Sequence, residues 1–179
     1  MKKYLILVVS ILIVYSCNQS NKKSKSISKY KISLNAKNDS GTSGLVTIEQ
    51  VNNSKVKLEA HIMGLKPGSH AIHIHEKADC SSTDGKSAGG HWNPTFENHG
   101  SWGGSDGFHR GDIGNFIADE NGHGMMKFET DLWCLNCDDP IKNIVGKSII
   151  IHDGEDDLTS QPSGAAGSRV SCAGIIKDL

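Results

Sequence analysis

Nine histidines occur in this chain of 179 residues, and six of them follow an order and spacing that suit metal binding. Neutral imidazole is the commonest metal ligand in proteins, and carboxylates often join it in zinc sites. The side chains in question are His73, His75, His91, His99, His109, Asp112 and His152. This set predicts a metal centre, and its members divide into two groups.

The first group depends on the sequence His73-Ile74-His75. Residues two apart on a strand point to the same face, so both imidazoles can bind one ion while Ile74 points into a core. His152 ends the apolar run 148–151, which indicates a strand terminus. From there its imidazole could complete the same ligand set.

The second group lies in the stretch from His91 to Asp112, which is rich in glycine, asparagine and serine. This composition is typical of a loop. The stretch offers three imidazoles and one carboxylate, which is the ligand set of a closed tetrahedral zinc site. We therefore expect a long loop that a metal ion holds in place.

Seven ordered motifs together resemble the copper/zinc superoxide dismutase family, and the resemblance extends from about Tyr30 to Lys177. A single His-x-His motif is weak evidence, whereas the ordered set is specific. The motifs are GSHAIHIHE (68–76), SAGGHWNP (87–94), HG (99–100), HRGDIGN (109–115), IH (151–152), DDL (156–158) and GAAGSRVSC (164–172).

The resemblance implies one copper ion and one zinc ion per chain. The implied copper ligands are His73, His75, His91 and His152, and the implied zinc ligands are His91, His99, His109 and Asp112. His91 would bridge both ions, because a deprotonated imidazole has a lone pair on each nitrogen. The implied activity is conversion of superoxide to O₂ and H₂O₂ by Cu(II)/Cu(I) cycling, in which His91 also takes up and returns a proton.

The resemblance also implies roles for residues that bind no metal. Arg169 would dock the superoxide anion beside copper, since a guanidinium is a permanent cation with fixed donors. Asp156 would join His73 to His99 through their second ring nitrogens, as metal-bound histidines generally require. Cys80 and Cys172 would form a disulfide.

Some features leave alternatives open. Cys134 and Cys137 could form a small disulfide, which we rank first, stay reduced, or capture Cu(I). A copper-binding or copper-delivery protein on the same fold is the alternative function. Lys86, just before the SAGGHWNP motif, is a candidate guide for superoxide, although a turn lysine is the simpler interpretation.

The other three histidines are not expected to be metal ligands. His70 resembles a family position that hydrogen-bonds within the barrel. His61 shares a strand face with two charged residues and should be exposed, and His123 lies in a glycine-containing turn.

Eight short runs with strand character predict an all-β fold. The resemblance specifies an eight-stranded antiparallel Greek-key β-barrel or sandwich with two long functional loops. The runs are Tyr30–Leu34, Leu45–Val51, Val56–Leu65, His70–Glu76, Asn115–Ala118, Met125–Leu132, Ser148–His152 and Val170–Ile176.

The N-terminal residues predict export. Two lysines precede a short apolar run, so we expect residues 1–16 to be a signal peptide. Residues 14–17 resemble a bacterial lipoprotein processing site, so we expect Cys17 to be lipidated; ordinary cleavage with a free Cys17 is the alternative. Residues 17–29 should form a flexible polar tether and residues 30–179 the dismutase-like domain. The protein would be periplasmic or on the cell surface, attached to a membrane through Cys17. Removing residues 1–16 loses two lysines and changes the formal net charge from −1 to −3, so nucleic acid is not an expected partner. The sequence leaves monomer and homodimer open.

Overall fold

Eight antiparallel strands close into a barrel in the computed structural model, which describes residues 28–52 and 54–176. Around the barrel the strands follow the order β1-β2-β3-β6-β5-β4-β7-β8. Their bounds are β1 Lys29–Ala36, β2 Ser43–Gln50, β3 Val56–Met63, β4 Gly68–His75, β5 Gly114–Ala118, β6 Gly124–Thr130, β7 Ser148–His152 and β8 Arg169–Gly174.

The strand order confirms the predicted all-β fold and its Greek-key connectivity. Strands β4, β5 and β6 are consecutive neighbours, and β7 returns to pair with the outer edge of β4, the arrangement that defines a Greek key. All eight predicted strands occur; β7 has the predicted bounds, and the other seven have shifted ends. For example, β3 stops at Met63 rather than Leu65, because Gly64 has a left-handed φ of 79° that ends the extended conformation.

The barrel core follows from alternation along the strands. In β3, Val56, Leu58, Ala60 and Ile62 are all buried, while the residues between them face outward. Isoleucine and other β-branched side chains suit a pleated, half-buried surface, which explains their prevalence here.

Two neighbouring strands, β4 and β7, are buried on both faces. Every residue of β7 is buried, and so are the last six residues of β4. One face packs Ile72 and Ile74 into the core, and the opposite face carries His73 and His75. Two long connections, residues 76–113 and 153–168, cover this second face and enclose the histidines.

A disulfide attaches the first of these connections to the barrel. Cys80 is bonded to Cys172 of β8, across 92 residues of sequence. Beneath the bond lies a small apolar cluster of Ala88, Ile150 and Cys172, separate from the main core. Cys134 and Cys137 also form a disulfide, in agreement with the alternative ranked first.

The expected signal peptide, the lipidated Cys17 and almost the whole tether lie outside the described residues. Lys29, the last residue assigned to the tether, already belongs to β1. No helix in the described part of the chain has the length and apolar character needed to cross a membrane.

Candidate metal centre

Four histidines converge on the face of β4 and β7 that points away from the barrel core. The ligand atoms of His73, His75, His91 and His152 all lie within 4.8 Å of one another, and all four residues are buried. His73 and His75 come from one face of β4. The register shift between Ile151 and His152 occurs at the end of β7, where His152 reaches the same group.

His91 belongs to the loop but is fixed to the end of β4 by backbone contacts. Trp92 N–H donates to the Ile74 carbonyl at 2.8 Å, and Glu76 N–H donates to the Gly90 carbonyl at 3.1 Å. These bonds form an isolated antiparallel bridge between His75 and His91. The bridge places the His91 ring 4.0 Å, centroid to centroid, from that of His73.

The second group gathers around Asp112. The atoms Nδ1 of His91, His99 and His109 lie 2.9, 3.0 and 3.2 Å from the Asp112 carboxylate. The backbone N–H groups of His109 and Gly100 donate to the same carboxylate at 2.8 and 3.2 Å. Three imidazoles and one oriented carboxylate therefore meet at one point in the buried loop.

Unpaired ring nitrogens show that these residues suit metal ions. Six buried ring nitrogens among the described residues have no hydrogen-bond partner: His73 Nδ1, His75 Nε2, His91 Nε2, His99 Nδ1, His109 Nδ1 and His152 Nε2. Those of His99 and His109 lie close to the Asp112 carboxylate but form no regular hydrogen bond with it. Buried polar atoms are normally paired, because an unpaired one costs the loss of its bonds to water. All six belong to the two ligand groups, so cations that accept their lone pairs account for them.

The opposite nitrogens of the first group are held by the protein. His75 Nδ1 lies 3.0 Å from the Gly89 carbonyl, and His152 Nδ1 lies 3.3 Å from the Gly167 carbonyl. A carbonyl accepts only from N–H, so each contact sets the tautomer in which Nε2 carries the lone pair. The four histidines of the first group thus present nitrogen lone pairs that suit copper.

Burial keeps three imidazoles of the first group neutral, those of His75, His91 and His152. It lowers the pKa values of His75 and His152 well below the ordinary range, and lowers the pKa of His91 to about 4. The charge of Arg169 adds to the effect on His75 and His152. Only neutral imidazole binds metal, so these rings are ready to act as ligands at neutral pH.

In the second group, His99 favours positive charge instead. Burial opposes a proton on His99, but the carboxylates of Asp112 and Asp156, 3.0 and 2.9 Å from its ring nitrogens, outweigh it and raise the pKa of His99 to about 9. Burial would raise the pKa of Asp112, yet the adjacent imidazoles of His109, His91 and His99 hold that pKa far below the ordinary range. A buried carboxylate that stays ionised suits a dication in the same place, and Zn²⁺ fits this donor set.

Asp156 connects the two groups. Its Oδ2 lies 2.8 Å from His73 Nε2, and its Oδ1 lies 2.9 Å from His99 Nε2. Because these bonds involve the second nitrogen of each ring, the Nδ1 atoms are left free toward the metal positions. Asp157, its neighbour, is exposed, and its carboxylate accepts hydrogen bonds only within its own turn, from Thr159 and Ser160.

Two side-chain amides hold Asp156 and His99 in place, and their roles were not predictable from the sequence. Asn115 of β5 donates to the Asp156 carbonyl and accepts from the Asp156 N–H, both at 2.8 Å. Gln161 accepts from the His99 N–H and donates to the His99 carbonyl, both at 2.9 Å. Asn115 stood within a recognised motif, but its type alone gave no sign of this role, and nothing in the sequence singled out Gln161.

Arg169 begins β8 and lines a cavity of about 680 Å³ together with His75, His91 and His152. Its guanidinium donates to the carbonyls of Gly85 and Gly89, at 2.8 and 2.7 Å. The Gly89 carbonyl also accepts from His75, so one peptide group positions both the arginine and a ligand. The half-buried cation faces the opening of the first ligand group, where a small anion would arrive.

Lys86 and Asp84 lie on the wall of the same cavity, nearer to solvent. The Lys86 ammonium is 3.2 Å from the Asp84 carboxylate, and its side chain is 79% exposed. The hydrogen bond from the Lys86 backbone N–H is the main cause that lowers the pKa of Asp84 to about 2. Lys86, the candidate guide for superoxide, therefore lies at the cavity and has an ionised partner.

The remaining histidines take the positions expected for them. His70 is buried, and its ring lies 2.8 Å from both the His152 and Lys66 carbonyls, which supports the end of β7. His61 and His123 are exposed. None of the three contributes to either ligand group.

The fold and site together define a Greek-key β-barrel protein with paired copper-type and zinc-type ligand sets that share one histidine. The family model described as copper/zinc superoxide dismutase matches residues 42–175. The chain belongs to the copper/zinc superoxide dismutase family.

Similar proteins include both enzymes and chaperones. A copper/zinc superoxide dismutase of Paramecium bursaria Chlorella virus 1 is 36% identical over 96% of this chain and 91% of its own length. Superoxide dismutase [Cu-Zn] 5 of Dictyostelium discoideum is 37% identical over 76% of this chain and 90% of its own length. The copper chaperone for superoxide dismutase of Sus scrofa is 36% identical over 74% of this chain, which spans only 47% of the chaperone. A crystal structure of the clock protein EA4 superposes with a TM-score of 0.71 at 32% identity, over 83% of this chain and 95% of that one.

Proposed function

We propose that this protein is a superoxide dismutase that holds one copper and one zinc per chain. The main support for this proposal is that two four-ligand groups share His91. In addition, the copper group opens onto a cavity beside Arg169. A site built only to store metal has no need for a cation at its opening.

The chain would bind and orient the substrate in a simple way. Bound copper would supply a one-electron couple, oxidising one superoxide to O₂ and reducing a second to H₂O₂. Arg169, fixed by two backbone carbonyls, would hold the anion through the donors that its fork leaves free. Asp156 would keep the rings of His73 and His99 in the ligand orientation.

His91 would also handle one of the two protons that the reaction consumes. Its Nδ1 stays at the zinc group, while its Nε2 faces the copper group without a hydrogen-bond partner. Nε2 can therefore take up a proton when it is free of metal and donate it to the departing peroxide. Solvent in the cavity would provide the second proton.

The direct test is superoxide decay measured by stopped-flow with metal-loaded protein, before and after chelation. We expect rapid decay that is lost with the metals, and a fall of roughly tenfold for Arg169→Gln with unchanged metal content, since an ionic hydrogen bond to the substrate is removed. Loaded protein that leaves the decay rate unchanged would refute the proposal. Unchanged activity in His91→Ala would refute the bridging role.

Copper delivery is the second candidate, favoured by the copper chaperones among the relatives. A delivery protein should transfer its copper to a copper-free acceptor dismutase faster than the copper dissociates, and should show little turnover. Fast superoxide decay without such transfer supports the enzyme, and the reverse result supports the delivery function.

We further propose that the protein is exported and attached to a membrane through a lipid on Cys17. The support is the sequence of residues 1–17, with two lysines, an apolar run and a small residue before the cysteine. Metabolic labelling with palmitate should mark the wild-type chain and not Cys17→Ala.

Sedimentation of the metal-loaded protein would distinguish a monomer from a homodimer.

A further inference from the structure

A group of soft metal ligands lies on the outer face of β3 and β6, strands that supply no residue to the two ligand groups described above. His61 of β3 is directly opposite Met125 of β6 in the strand register. Ile62 pairs with Gly124, so the next outward positions are Met63, which ends β3, and His123, which immediately precedes β6. Two imidazoles and two thioethers thus occupy the corners of one small patch.

Burial shows that all four side chains face solvent. Met63 and Met125 are 51% and 52% exposed, the His61 side chain is 54% exposed, and His123 is exposed too. Ile62 and Gly124, between them, are buried. Directly opposite residues in antiparallel strands have Cβ atoms about 5 Å apart, and diagonal neighbours about 7–8 Å. Long, unbranched methionine side chains can close such gaps.

We propose that His61, Met63, His123 and Met125 form a binding site for Cu(I). Thioether sulfur is a soft ligand that selects Cu(I), and imidazole also suits copper. Zn²⁺ sites in proteins use thiolate, imidazole and carboxylate, so two thioethers discriminate against zinc. The site does not depend on the dismutase reaction, because it shares no residue with the centre.

Two surrounding features support a metal role for this patch. His61 Nε2 lies 3.1 Å from the Glu59 carboxylate, which leaves Nδ1 as the lone-pair nitrogen. Metal-binding histidines commonly donate their other N–H to a carboxylate in this way. Two exposed apolar side chains flank the patch. Leu45 of β2 is opposite His61 and is 45% exposed. Ile117 of β5 lies beside Met125 and is 69% exposed. These apolar neighbours reduce hydration around a soft ion.

The test uses the full chain with its copper and zinc ligand groups already filled. Cu(I), added anaerobically as its tetrakis(acetonitrile) complex, is titrated against bicinchoninate, and ¹³C-methyl signals of methionine are followed by NMR. The chain has only four methionines, so single variants assign every signal. Ag⁺ serves as a redox-inert substitute for Cu(I), and Zn²⁺ as a competitor that binds imidazole but not thioether sulfur.

We expect one additional Cu(I) or Ag⁺ per chain, with shifts at the Met63 and Met125 methyl groups. The double variant Met63→Leu/Met125→Leu should weaken this binding by at least about tenfold, since both sulfur ligands are lost. Met126→Leu is the matched control, because Met126 is adjacent in β6 but packs against the core. Absence of an extra equivalent, equal shifts with Zn²⁺, or unchanged binding in the double variant would overturn the proposal.

Discussion

A single carboxylate, that of Asp156, orients one residue of each ligand group through bonds of 2.8 and 2.9 Å. We predict that Asp156→Asn weakens binding of both metals by about 10–100-fold, because an amide can accept from only one of the two rings with its single oxygen. Competition with a chromophoric chelator measures both affinities.

Asp157→Asn is the control for this change. It removes the same charge from the adjacent residue, whose carboxylate bonds only within its own turn. Equal losses in the two variants would mean that charge, and not orientation of His73 and His99, determines affinity.

The ion pair of Lys86 and Asp84 allows a test of electrostatic guidance at the cavity. We predict that Lys86→Gln lowers the catalytic rate by about twofold at 10 mM salt and hardly at all at 150 mM, where the screening length falls from about 30 Å to about 8 Å. Asp84→Asn should have the opposite effect, since it removes a negative charge that stays ionised at neutral pH. Rates that respond equally at both salt concentrations would contradict guidance by Lys86.

The seven residues that the sequence singled out are the seven that the structure gathers into two groups. Side-chain type and spacing carry this information, because imidazoles at alternate strand positions share a face. The contacts that orient them carry no such signal. The Gly89 carbonyl could be any peptide group, and the amides of Asn115 and Gln161 act on backbone atoms that become neighbours only after folding.

At the scale of elements, the loop between β7 and β8 positions the site through a close contact at Gly164. This residue has a left-handed φ of 73°, and a Cβ atom built there would overlap the Asp156 carboxylate and the His99 ring. We predict that Gly164→Ala displaces Asp156, weakens zinc binding by about tenfold or more, and lowers stability by about 1–3 kcal/mol. Zinc competition and urea unfolding measure the two effects.

Gly167→Ala separates strain from overlap. Gly167 has a similar φ of 79°, but a Cβ there would meet nothing closer than 4.0 Å. Its variant should lose stability through backbone strain while retaining zinc affinity. If both variants lost zinc equally, loop strain and not the overlap with Asp156 would be the cause.

The strands were predictable as elements because alternation of apolar and polar residues marks one buried face. That rule works for β3, yet it does not describe β7, where all five residues are buried. The run 148–152 was recognised from its apolar content, but its double burial depends on two long connections that cover the outer face. Loop packing of this kind requires contacts between distant residues, which a local pattern does not contain.

At the scale of the whole molecule, the two disulfides should contribute unequally to stability. Cys80–Cys172 closes 92 residues, whereas Cys134–Cys137 closes three. In the loop-entropy description the long closure is worth about 4.6 kcal/mol and the short one about 1.6 kcal/mol, because a longer loop loses more freedom in the unfolded chain. Urea unfolding of chelator-treated Cys80→Ser/Cys172→Ser and Cys134→Ser/Cys137→Ser should show this order.

The long disulfide should also influence the site, because it secures the loop whose Gly85 and Gly89 carbonyls hold Arg169. We therefore expect Cys80→Ser/Cys172→Ser to lower kcat/KM in metal-loaded protein by roughly the tenfold expected for losing one ionic hydrogen bond to the substrate. Within the described part of the chain, the Cys134–Cys137 disulfide lies in a connection that makes no hydrogen bond to Arg169 or to a ligand side chain. The kcat/KM of Cys134→Ser/Cys137→Ser should therefore match that of the wild type. If the first variant lost stability but kept full activity, the small apolar cluster under the loop would be sufficient to position Arg169 without the covalent bond.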